Sequence, residues 1–115
     1  MNQDLQNIVN ILKKLMSYQT VEGNKEEFEK IFVYIKSLMP EHFFIKEYEF
    51  DNRKAMVIAN TEDKQLDIVF CCHIDVVPAS EYVCIDDEKY IKGRGSFDMK
   101  GGVAVALNLF RNLET

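Results

Sequence analysis

Residues 68–72 (Ile-Val-Phe-Cys-Cys) form an unbroken apolar run inside a longer segment, 66–72, that follows a polar stretch at 61–64. A run this short and this uniformly apolar fits a β-strand buried on both faces, as in a sheet covered by helices. Helices to cover it are supplied on its amino-terminal side. Residues 4–17 place Leu5, Ile8, Val9, Leu12, Leu15 and Met16 on one helical face. Residues 25–39 do the same with Phe28, Ile31, Phe32, Ile35 and Leu38. Both stripes read as core-packing faces rather than partner surfaces. Asn24 stands where an N-cap belongs, and Glu27 where a capping-box partner would reach back. Pro40 ends the second helix, because the residue before proline avoids the helical region.

The period then shortens. Residues 43–50 alternate in part, with Phe44, Tyr48 and Phe50 on one face and Glu47 and Glu49 on the other. Asp51 and Asn52 supply turn chemistry, and 55–59 is a second apolar run, which together predict a hairpin. Segments 83–85 and 89–91 predict a smaller hairpin around Asp86, Asp87 and Glu88. A last helix is expected over 101–113, with Val103, Leu107, Phe110 and Leu113 facing inward. This order predicts one α/β domain over residues 1–115, with a mixed β-sheet covered by helices.

The charge pattern removes some functions. Net charge is −5 and the lysines are scattered among acids, so no basic face is offered to nucleic acid. No apolar run approaches the roughly 20 residues that a membrane helix needs. Residues 1–5 lack the basic start and apolar stretch of a signal peptide, so the expected compartment is the cytoplasm. Cys71, Cys72 and Cys84 are too few for a disulfide framework and read as reduced, mostly buried thiols.

The chemistry concentrates in two segments. His73-Ile74-Asp75-Val76-Val77-Pro78 leaves the carboxyl end of the predicted buried strand, where open α/β sheets bind ligands. A neutral imidazole there is a good metal ligand. Asp75 could accept its other N–H and fix the tautomer. The second segment, Gly93-Arg94-Gly95-Ser96-Phe97-Asp98-Met99-Lys100-Gly101-Gly102, holds four glycines in ten residues. Asp98 stands just before the last helix, and a carboxylate can bridge two metal ions. Taken alone, a His-x-Asp is weak evidence, and the glycine stretch could be a plain loop or a phosphate cradle. It matches neither the dinucleotide fingerprint nor the P-loop. Arg94 and Lys100 read most simply as solvated or salt-bridged surface residues.

Together the two segments are far more specific. H-I-D-V-V-P, followed about twenty residues on by G-R-G-S-F-D-M-K-G-G, resembles the signature of one family of co-catalytic zinc hydrolases. That family includes acetylornithine deacetylases, succinyl-diaminopimelate desuccinylases, aminoacylases, carboxypeptidases and carnosinase-like dipeptidases. The resemblance implies a partial zinc-exopeptidase-like (phosphorylase/hydrolase-like) catalytic domain acting on a peptide or N-acyl amino-acid bond. It implies two divalent metal ions, zinc by default, with cobalt or manganese suited to similar ligands. His73 would ligate one ion and Asp98 would bridge both. Asp75 would be the catalytic-site aspartate that orients His73, and Arg94 and Lys100 would be structural.

The family's general-base glutamate, its neighbouring metal-binding glutamate and a further carboxylate all lie downstream of the bridging aspartate. A histidine follows near the far carboxyl end. Only thirteen residues follow Gly102, with Glu114 their single acid, and the other histidine, His42, lies far upstream. The expectation is an amino-terminal fragment that is inactive by itself. The competing reading is a non-catalytic metal-binding or self-associating module, closing an exposed sheet edge in a homodimer. A thiol enzyme using Cys72 beside His73 is disfavoured, because adjacent strand residues point to opposite faces.

Overall fold

The computed structural model describes residues 2–80, 82, 84–87 and 89–114. Helix α1 spans Gln3–Met16. Asn2 caps it, accepting the Leu5 N–H at 2.8 Å, and Asp4 and Lys13/Lys14 sit at the ends that the helix dipole favours. Helix α2 spans Lys25–Leu38. Its expected capping box is absent: the Asn24 side chain makes no cap bond. Instead the Asn24 amide donates to the Gln19 carbonyl (2.9 Å) and the Glu27 carboxylate accepts the Gln19 N–H (3.0 Å). The two side chains therefore close the α1–α2 loop rather than cap the helix. Met39, ahead of Pro40, is extended at ψ 143°, so the proline stops the helix as expected.

Strands β1 (Phe44–Phe50) and β2 (Arg53–Ala59) pair antiparallel, with Phe44 opposite Ala59 and Phe50 opposite Arg53. The turn residues Asp51 and Asn52 have φ of 54° and 64°, the left-handed pair that a two-residue hairpin requires. One face of this hairpin packs Ile45, Met56 and Ile58 against the core. Beside them Glu47 and Glu49 meet Lys36 and Lys25 of α2 at 3.2 and 3.8 Å. The alternation predicted from sequence is present, and it is the aromatic face (Phe44, Tyr48, Phe50) that lies exposed. Strands β3 (Ile85–Asp86) and β4 (Ile91–Lys92) form the small hairpin, slightly later than expected. Val83 and Glu88, named for that hairpin, lie outside the described residues.

Helix α3 spans Lys100–Arg111. It packs chiefly against α1, and α2 completes the core around Ile11, Leu15, Ile31, Ala104 and Leu107. Burying each large aliphatic side chain contributes roughly 1.5–3 kcal/mol.

The central expectation needs correction. Residues 66–72 form no strand, and Ile68 and Val69 are 74% and 70% exposed. A strand requires a neighbour to pair with, and the two described hairpins each pair only within themselves. Of the run, Phe70 finds a ring contact, edge-on to Phe110 at 5.7 Å. In place of one mixed sheet the described residues form two separate two-stranded antiparallel sheets beside three helices. That combination of helices and strands is compatible with the α/β class, without the covered sheet that the apolar run predicts. The thiols differ as well, since Cys71 and Cys72 are exposed and Cys84 is partly so.

Candidate metal centre

Two loops meet at the amino-terminal end of α3. The first, 73–78, is anchored from the α1–α2 linker. The Thr20 hydroxyl donates to the Ile74 carbonyl at 2.6 Å, and the Val76 N–H donates to the Thr20 carbonyl at 2.9 Å. With Val76 buried on this anchor, His73 projects outward, its side chain 46% exposed. The His73 N–H also donates to the Met99 sulfur at 3.4 Å, tying the first loop to the second.

The second loop, 93–99, folds on itself. Ser96 N–H donates to the Gly93 carbonyl (3.1 Å) and Lys100 N–H to the Gly95 carbonyl (2.9 Å). Gly95 is buried at φ +88°, and a Cβ there would lie 2.9 Å from Val76 Cγ1. A Cβ on Gly101 would come within 2.5 Å of the Ser96 carbonyl oxygen. Both positions therefore need glycine, one for its conformation and its contacts, the other for close backbone approach. The Asp98–Met99 peptide bond is cis.

The outcome is a convergent pair. His73 Nε2 lies 2.9 Å from Asp98 Oδ1, although 25 residues separate them in sequence. On the other side of the ring, Nδ1 lies 3.1 Å from the Asp75 carbonyl oxygen and 3.2 Å from its carboxylate. All three predicted site residues thus come together, at a cleft of about 290 Å³ that Arg94 and Phe97 also line. A wider groove of about 640 Å³ runs beside α2, between Tyr18, Lys30 and Tyr34. It is flanked by separate exposed charges and brings no reactive pair together.

The electrostatics follow from this geometry. Partial burial pulls the His73 pKa down, but the Asp75 carbonyl, the Asp98 carboxylate and the charge of both acids outweigh it, so the net shift is upward. With an oxygen near each ring nitrogen, the imidazole is well served by two protons, or by a proton at Nδ1 and a cation at Nε2. That donor set fits a metal ion: a carboxylate oxygen faces the ligating nitrogen, and the opposite nitrogen is held by an acceptor that fixes the tautomer. It is a partial set. Among the described residues no group of three or more His, Cys, Asp or Glu side chains could hold one ion.

The thiol reading finds no support here, since both His73 nitrogens face acids rather than a sulfur. Burial and the neighbouring Cys71 raise the Cys72 pKa, which disfavours the nucleophilic thiolate at neutral pH. Lys100 departs from the sequence reading. It is 1% exposed rather than on the surface, and its ammonium donates to the Tyr18 carbonyl at 2.8 Å. Its spacing to Val103, Ala104 and Leu107 already places it on the inward stripe of α3. Thr20 gave no comparable signal, because its role depends on a partner 54 residues away.

A solvent-facing imidazole and carboxylate are thus presented together by two loops at the start of a helix. Residues 69–115 match the model of peptidase family M20/M25/M40. The succinyl-diaminopimelate desuccinylase of Wolinella succinogenes is 30% identical over 113 residues, covering 93% of this chain and 30% of that enzyme. The enzyme of the same name from Helicobacter pylori is 33% identical over 123 residues, covering 89% and 31%. That of Helicobacter hepaticus reaches 51% over a shorter stretch of 41 residues. These findings assign the chain to the M20 family of peptidases and deacylases. The chain spans about 30% of the length of the first two relatives.

Proposed function

We propose that this chain carries the first part of the active site of a metal-dependent amidohydrolase, one that cleaves an N-acyl amino-acid or peptide bond. The observation that carries the reading is the 2.9 Å approach of His73 Nε2 to Asp98 Oδ1 at the open cleft. His73 and Asp98 would hold the metal, with the Asp98 carboxylate able to serve two ions, and Asp75 would orient the His73 ring. Zinc suits this imidazole and carboxylate pair, and cobalt or manganese could take the same atoms. When bound, such ions polarise a carbonyl and lower the pKa of a water molecule. The chain's own part is to hold the Nε2 lone pair toward Asp98, with Nδ1–H donated to Asp75. The relatives' name favours an N-succinyl amino acid as substrate.

Each ion needs about three protein ligands, one of which can be shared, and among the described residues the site offers two, His73 and Asp98. By itself it should therefore bind metal weakly and hydrolyse nothing. Zinc affinity, measured by competition with a chromophoric chelator, tests the first part. His73→Ala and Asp98→Asn are each expected to weaken binding about tenfold or more. Unchanged affinity in both variants would remove the metal reading. Zinc-dependent turnover of N-succinyl or N-acetyl amino acids by the isolated chain would refute its inactivity.

A further inference from the structure

The α1–α2 linker bonds directly to the loop that carries His73, and it holds Lys100, the first residue of α3, onto which the loop carrying Asp98 folds. Thr20 grips the first loop on either side of Asp75, through its hydroxyl to the Ile74 carbonyl and through its carbonyl to the Val76 N–H. Tyr18, two residues earlier, accepts the Lys100 ammonium at 2.8 Å. Lys100 follows Asp98 by two residues and receives the second loop through its own N–H, bonded to Gly95. Thr20 and Lys100 are both buried, at 0% and 1% exposure. Each is an expensive residue to bury, since a hydroxyl or ammonium removed from water must keep its partners. An apolar side chain at either position would fill the same space, so packing alone does not call for them.

We infer that Thr20 and Lys100 are positioning residues, which fix the two loops to one linker and so set the His73–Asp98 separation before any metal arrives. The inference rests on the metal-site reading above. A ligand pair tied independently to a common support cannot drift apart without breaking a buried hydrogen bond. The tie lies 54 residues upstream of Ile74 and 82 residues upstream of Lys100. The α1–α2 linker is thereby part of the site's support rather than only of the core.

The test uses the 115-residue chain and four variants: Thr20→Val, Thr20→Ser, Lys100→Met and His73→Ala. Thr20→Val and Lys100→Met preserve shape and remove the polar bond, and Thr20→Ser restores the hydroxyl. Amide hydrogen exchange without metal is the first readout. In Thr20→Val and Lys100→Met, the Val76 and Lys100 amides should exchange about tenfold faster, while the Leu15 and Leu107 amides hold their protection. Zinc affinity is the second readout. It should fall about three- to tenfold in both variants and return in Thr20→Ser. If both variants keep parental zinc affinity while His73→Ala loses it, the positioning role is overturned and the metal reading stands. If His73→Ala itself leaves affinity unchanged, the metal reading fails and this inference with it. Loss of protection at Leu15 and Leu107 as well would make the two residues general stabilisers, which also overturns the proposal.

Discussion

Lys100 shows how one side chain records the tension between fold and site. Its ammonium is buried, and desolvation pushes its pKa down to about 8 from an ordinary 10.5, with the Glu27 charge opposing the shift only in part. Below about pH 8 the group is charged in both folded and unfolded chains, and its burial costs stability. Between about 8 and 10.5 the folded chain has lost the proton and the unfolded chain has kept it. The unfolded state then binds more protons, so stability rises with pH across that window, by up to about 3 kcal/mol. The neutral amine still donates to the Tyr18 carbonyl, so the tie survives deprotonation. Urea unfolding of the metal-free chain near pH 7.5 and pH 10 should show the parent gaining stability relative to Lys100→Met. Equal slopes for the two proteins would mean that Lys100 keeps its ordinary pKa. Gly95 tests the same packing from the other side. A methyl group there would press on Val76 Cγ1 at 2.9 Å and Lys100 Cδ at 3.2 Å, on a backbone at φ +88°. Gly95→Ala should therefore lower unfolding free energy by about 1–3 kcal/mol, read from the same urea transitions.

At the scale of elements, what the sequence made legible was what local chemistry decides. The α1 and α2 stripes, the Pro40 stop and the Asp51-Asn52 turn each depend on neighbours a few residues away, and each is found. The turn carries its own prediction. Asn52 at φ 64° is tolerated, and glycine would adopt that conformation without a Cβ penalty. Asn52→Gly should raise stability by about 0.5 kcal/mol, whereas Asn52→Val should lower it by about 1 kcal/mol or more, both measured by urea unfolding. Where pairing at long range decides, sequence reading failed. The 66–72 run has strand composition, but composition does not provide a pairing edge, and the residues form no strand and remain exposed. Asn24 and Glu27 fit a capping box by spacing, yet both side chains reach Gln19 instead. The site stands between these cases. The two motifs led us to expect His73 and Asp98 to converge, and the two side chains do lie together, with Asp75 on the other side of the ring; their roles there belong to the proposal above. Thr20 was not, since nothing near it in sequence indicates which loop it will hold.

The whole molecule is a flat body of 42 × 41 × 21 Å with a radius of gyration of 14.5 Å, against about 13 Å for a compact domain near this length. Its shape leaves large apolar side chains in water. Phe50 is 83% exposed on the outer face of the β1–β2 hairpin, and Ile68 and Val69 stand out along a segment with no strand partner among the described residues. Free backbone groups beside apolar side chains form the kind of edge that pairs with another chain unless something covers it. The isolated chain should therefore associate as its concentration rises, through the 66–70 segment. Sedimentation velocity across a dilution series should show weight-average mass increasing with concentration. The double substitution Ile68→Lys, Val69→Lys places like charges on that edge and should return the chain to a monomer. It should do so without lowering the thermal midpoint, because both side chains are already in solvent. A parent chain that stays monomeric throughout the series would show that this edge does not pair. If it does pair, the property belongs to the same segment whose apolar run predicted a covered strand. The sequence would then be asking for a neighbour that the two described hairpins do not provide.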